Sequence, residues 1–200
     1  MTDSSYHEAA HAVAAFDRGL PVTYLTIRPH EGDTGRTVFD TDSEGFQNLS
    51  DLECAIIKVA GEIGARIAAG ATTSAEARFN WFAEGGDAED ARRFIGRVDA
   101  NELDARALAQ LRAYALLRIR WEAVEEIAGL FRRSKTVLGE EVSRICLADA
   151  ARRSARLQAV SPLKRPRPDR VPKPTRKPRR PSSGDREVRP FTFQVKKGAQ

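Results

Sequence analysis

Apolar residues return every three or four positions through most of the first 160 residues, a spacing that predicts a chain built mainly of helices. Residues 49–69 show it most clearly, with Leu49, Leu52, Ile56, Val59, Ile63 and Ile67 in register and Gly70 to close the helix. Residues 4–18 predict another helix, rich in alanine, with Ser4 or Ser5 to cap it and Gly19 and Pro21 to stop it. A third, over about 87–98, follows Gly85-Gly86. A long helical stretch over about 101–133 sets Leu103, Ala107, Leu111, Tyr114, Leu117, Trp121, Val124, Ile127 and Phe131 on one face. The last helix spans about 139–156. Alternation, the mark of a strand, occurs in Val22–Ile27, which ends at Pro29, and in Thr37-Val38-Phe39 after Gly35. The expected fold is α+β and predominantly α-helical: a first helix, a small edge-exposed β-sheet, then a helical bundle.

The pattern stops near residue 158, and the composition changes with it. Residues 161–200 hold 13 lysines and arginines against 3 acidic residues, and 8 of the 10 prolines. The first 160 residues carry 20 basic against 25 acidic side chains, so the net charge of +5 conceals an acidic body and a basic tail. Dense proline removes backbone donors and like charges repel, which predicts a disordered C-terminal tail over 159–200 beside a folded domain at 1–158. Such a tail is suited to nucleic acid or another polyanion.

Composition narrows the setting further. No apolar run is long enough to span a membrane, so no transmembrane segment is expected, and no secretory signal opens the chain. Cys54 and Cys146 stand 92 positions apart with no CxxC spacing; they read as reduced core residues of a cytoplasmic protein.

The residues that carry chemistry are His7-Glu8-Ala9-Ala10-His11, an HExxH motif inside the first predicted helix. Residues i and i+4 differ by about 40° around a helix and about 6 Å along it, so both imidazoles can address one ion. Glu8 is offset by about 100°, within reach of a water on that ion but outside its ligand shell. Two histidines, one further protein ligand and an open position make a catalytic zinc site, which lowers the pKa of bound water to about 7. Glu8 is then the general base. The competing reading is a capping box between Ser5 and Glu8 with both histidines in solvent. Three acids compete to be the third ligand: Asp17, on the same helix; Glu62, on the 49–69 helix; and Asp87, after Gly85-Gly86, where an ordinary N-cap is the alternative. His30, the remaining histidine, has no partner spacing.

Four blocks in order resemble the peptidase domain of the FtsH-type ATP-dependent zinc metalloproteases. They are Tyr6–Ala12 with Pro21–Pro29; Val59-Ala60-Gly61-Glu62 through Gly70; Gly85–Ala91; and Ala123–Ala128 with Leu138–Val142, covering about residues 5–146. The resemblance implies Zn2+ held by His7, His11 and Asp87, Glu8 as general base, and cleavage of unfolded or delivered polypeptide substrates. It also implies that the strand around Gly35–Phe39 pairs with the substrate backbone. Family rings are six-fold, which implies a homo-oligomer. Three departures stand out. Ala9-Ala10 replaces an alanine-glycine pair. Ala65 or Arg66 replaces an acidic residue, with Glu62 one turn earlier to compensate. No GxxxxGK[ST] occurs, so any ATP-driven unfolding falls to a separate ATPase or adaptor. Two further readings accompany this one: a catalytically idle metal-binding module acting through its basic tail, and a site-specific regulatory protease.

Overall fold

A computed structural model describes residues 3–29, 35–84 and 86–160; the basic tail from residue 161 and His30 lie outside the described residues. The elements are α1 (Asp3–Asp17), β1 (Val22–Thr26), β2 (Arg36–Phe39), α2 (Glu44–Gln47), α3 (Asp51–Ala68), α4 (Gly86–Ile95), α5 (Glu102–Ile119), α6 (Trp121–Leu130), β3 (Thr136–Leu138) and α7 (Gly139–Val160). The molecule is mainly helical with one small antiparallel sheet, as the periodicity predicts. Among the described residues, no helix is long and apolar enough to cross a membrane.

The core forms around α1, where Ala9, Ala10, Ala12, Val13, Ala14 and Ala15 are all buried. Small side chains let neighbouring helices approach closely. A Cβ built on Gly64 of α3 would stand 2.3 Å from the Cβ of Ala10, so the α1–α3 crossing depends on glycine at that position. A turn closes α1, with Gly19 in the left-handed region at φ 73° and Leu20 N–H donating to Ala15 O. Ser50 and Glu53 form a reciprocal capping box that starts α3.

The sheet has the order β2-β1-β3. Tyr24 of β1 lies opposite Val38 of β2 and Leu138 of β3, with an irregularity between Val22 and Tyr24. β2 and β3 are therefore edges. β3 and the short α2 were not legible in the periodicity, each being too brief to establish a period.

Two expectations about the 101–133 stretch are corrected. It is not one helix: α5 ends at Ile119 and α6 begins at Trp121. Arg120, between them, turns a fully buried guanidinium toward α7. There it meets Asp149 at 2.8 Å and donates to Cys146 O at 3.2 Å. Nor is the buried face of α5 the one expected. Ala105, Ala109, Ala113 and Leu117 face the core, whereas Leu103, Ala107 and Leu111 are exposed. Leucine is weighted as core over alanine by hydrophobicity alone; here alanines supply most of the buried face of α5. Cys54 and Cys146 are buried free thiols, and burial pushes the Cys146 thiol up to about 11.

Asp149 also accepts from Arg153 Nε at 3.1 Å, so one buried carboxylate joins the α5–α6 junction to α7. Removing it leaves the buried Arg120 with only Asp17, 3.9 Å from its Nε, as an acidic neighbour. Asp149→Ala should lower stability by about 3–5 kcal/mol in urea unfolding followed by circular dichroism; a loss below about 1 kcal/mol would mean that the pair is not buried in solution.

Candidate metal centre

α1 presents His7 and His11 on one face, with their Nε2 atoms 3.0 Å apart and the rings edge to face at 4.7 Å. His11 is buried, and its Nδ1–H donates to Ile57 O at 2.7 Å. That bond assigns the proton to Nδ1 and leaves the Nε2 lone pair free to coordinate. Asp87, in the first turn of α4, turns Oδ2 toward both rings, at 3.1 Å from His7 Nε2 and 2.9 Å from His11 Nε2. Gly86 at φ 49° allows the chain to enter α4 in this direction. Among the described residues these three form the group of donor atoms close enough to share one ion.

The triad fits zinc. Bonds of about 2.0–2.1 Å in a tetrahedron place ligand atoms about 3.3 Å apart, and the observed triangle is a few tenths tighter. Two imidazoles and a carboxylate are a suitable donor set. An absent side chain keeps both histidine nitrogens unobstructed. α3 passes the triad at Gly61, where a Cβ would lie 2.2 Å from His11 Nε2 and 2.6 Å from His7 Nε2. A methyl group there would clash with both imidazoles.

Glu8 is 5 % exposed and lines the same cleft, of about 400 Å³, as His7, His11 and Asp87. Its Oε2 accepts from Thr37 Oγ1 at 2.7 Å. A Cβ on Gly35 would come within 2.7 Å of Oε1, so the glycine before β2 leaves room for the carboxylate. The capping-box reading does not hold. α1 begins at Asp3, Ser5 is buried within it, and the Glu8 carboxylate is directed to Thr37.

Of the three candidate third ligands, only Asp87 reaches the histidines. Asp17, carried round by the uninterrupted α1 helix, lies 3.9 Å from Arg120 Nε. Glu62 accepts from Arg66 at 3.0 Å and 2.5 Å and from the Asn80 N–H at 3.0 Å. It anchors the loop after α3 and gives the triad no support, which overturns its compensating role.

The support comes instead from Lys58, which the sequence reading missed. Its ammonium lies 3.3 Å from Asp87 Oδ1 and 2.9 Å from Asp90 Oδ2. Asp87 is thus held at both oxygens, one by the histidines and one by Lys58. A signal existed: Lys58 interrupts the apolar run Ala55-Ile56-Ile57-Lys58-Val59-Ala60 one turn before Gly61.

The electrostatics follow from this crowding. Burial alone would raise the Asp87 pKa, but the His11 charge, hydrogen bonds from both histidines and the Lys58 ammonium hold it far below the usual carboxylate range. Burial pulls His11 down, yet Asp87 and Glu8 outweigh it and leave the imidazole above its ordinary value. Lys58 is raised by the same carboxylates against the effect of burial. No protein-family model and no curated protein matches this chain.

Two outcomes are expected. Gly61→Ala should weaken zinc binding at least about tenfold in a chelator competition while leaving helicity intact; undiminished affinity would place the ion elsewhere. In the metal-free protein the raised His11 pKa contributes stability that is complete below about pH 6.5 and is lost as pH rises through that raised value. Zinc must displace that proton, so its affinity should keep increasing above pH 6.5 until the raised His11 value is passed, as titration calorimetry would register. A plateau already reached at pH 6.5 would contradict the His11–Asp87 coupling.

Proposed function

We propose that the chain is a zinc-dependent metalloendopeptidase that cleaves unfolded or delivered polypeptides in the cytoplasm, resembling the FtsH-type peptidase domain. The observation that carries this reading is the buried, restrained Glu8 carboxylate facing the same cleft as three convergent metal-ligating atoms. A merely structural metal site has no need of an unligated carboxylate held beside it.

His7, His11 and Asp87 would hold the ion. When bound, zinc supplies a Lewis acid that polarises a carbonyl and acidifies water. The chain's own residues do the rest. Glu8 Oε1, the oxygen not bonded to Thr37, accepts the proton of the attacking water and returns it to the leaving amine. Thr37 fixes the carboxylate so that little reorganisation precedes the transfer. Lys58 and Asp90 keep Asp87 oriented toward the histidines.

The substrate's place is set by β2. It is an edge strand, and Gly35, Arg36, Thr37 and Phe39 border the cleft. An extended peptide added there would run past Glu8, gripped through its backbone and so with broad tolerance of sequence. A separate ATPase or adaptor that unfolds or delivers substrate is the partner this arrangement calls for. The basic tail supplies a contact to nucleic acid or another polyanion.

Glu8→Gln tests the reading. It should bind zinc at the same stoichiometry as wild type while casein cleavage falls by about 10²–10⁴-fold. Equal activity of the two proteins would sink the proposal, and equal absence of activity with zinc bound would favour the idle metal-binding module.

A further inference from the structure

α5 is built inside out. Its core-facing stripe is Ala105, Ala109, Ala113 and Leu117, and directly opposite runs Leu103, Ala107, Leu111, Ala115 and Ile119, every member exposed. Leu103, Leu111 and Ile119 are 72 %, 55 % and 60 % exposed, and Leu108 lies alongside at 37 %. The stripe extends for about 24 Å at 1.5 Å per residue. Such a continuous apolar face on a helix otherwise flanked by charge marks an interaction surface.

The charges within that face identify its occupant. At 100° per residue, the outward sector centred on Leu111 includes two ionic side chains, Asp104 near the start and Arg118 near the end. They stand seven residues before and seven after Leu111. Neither has an ion-pair partner among the described residues, although α5 pairs Arg106 with Glu102 on its inner side. The apolar members are placed symmetrically too: Leu103 and Ile119 lie eight residues to either side of Leu111, Ala107 and Ala115 four.

We infer that this face pairs with a second copy of the chain, α5 against α5, antiparallel about a two-fold axis at Leu111. In that register Ala107 meets the partner's Ala115, Leu103 and Ile119 flank the seam, and Asp104 lies beside the partner's Arg118, twice over. The alanines on either side of Leu111 leave room for the two copies of Leu111 to pack against each other at the axis. A two-fold interface must be self-complementary, and one acid and one base equidistant from the axis satisfy that requirement. Packing provides the affinity; the ionic pairs fix direction and register. The inference stands apart from the chemistry of the cleft and needs no metal.

Sedimentation velocity of the full chain over a concentration series tests it, with circular dichroism to verify helicity. Wild type should dimerise reversibly in the micromolar range. Asp104→Arg and Arg118→Asp should each weaken the dimer by about tenfold or more, since each sets two like-charge contacts, while the double exchange should return it to within about threefold of wild type. Leu111→Lys should give a monomer. A wild type that stays monomeric at every concentration would overturn the inference and leave the face to another partner. A dimer dissolved by Leu111→Lys but indifferent to both single reversals would overturn the antiparallel register.

Discussion

Two imidazole nitrogens and a carboxylate oxygen, held 2.9–3.1 Å apart, are the constraint around which the rest of this molecule is arranged. Three lone-pair-bearing atoms so close repel one another unless a proton or a cation lies between them. Their convergence must therefore be supported by packing. Alanines along α1 allow α3 to come near, Gly64 admits the Ala10 methyl, and Gly61 leaves empty the volume next to both Nε2 atoms. The Ile57 carbonyl sets the His11 tautomer, and Lys58 holds the far side of Asp87. Ile57, Lys58, Gly61 and Gly64 of α3 thus serve the site without contributing a ligand.

The sheet contributes from the opposite wall. β2 is short, and its one hydroxyl on Glu8 turns a helix-surface carboxylate into a fixed group facing the cleft. Gly35 at its start keeps that carboxylate unobstructed. The edge that could receive an extended chain and the group proposed to move its proton are therefore positioned by adjacent residues. This economy accounts for how a body of some 160 residues can hold a complete candidate site.

Much of this was legible in the residues alone. The i, i+4 histidines and the glutamate between them single out the candidate ligand pair and the candidate base, because helical geometry leaves them few other arrangements. The third ligand was not decidable from spacing: Asp17, Glu62 and Asp87 differ only in where the fold carries them, and the resemblance alone favoured Asp87. Lys58 was missed because a lysine among isoleucines reads as a solvated interruption until its partner from α4 is known. The α5 error has the same root. Periodicity shows that a helix has two faces, but Leu103, Leu111 and Ile119 against Ala105, Ala109 and Ala113 can be sorted only once it is known which face the core covers. Arg120 likewise ends a helix through a partner, Asp149, that is remote in sequence.

Whether His7, His11 and Asp87 hold one ion can be read from X-ray absorption at the zinc edge of the zinc-loaded full chain. The expected spectrum shows nitrogen and oxygen at about 2.0–2.1 Å with the multiple scattering of two imidazoles. Sulfur at about 2.3 Å, which would draw in Cys54 or Cys146, or a shell without imidazole scattering, would contradict it.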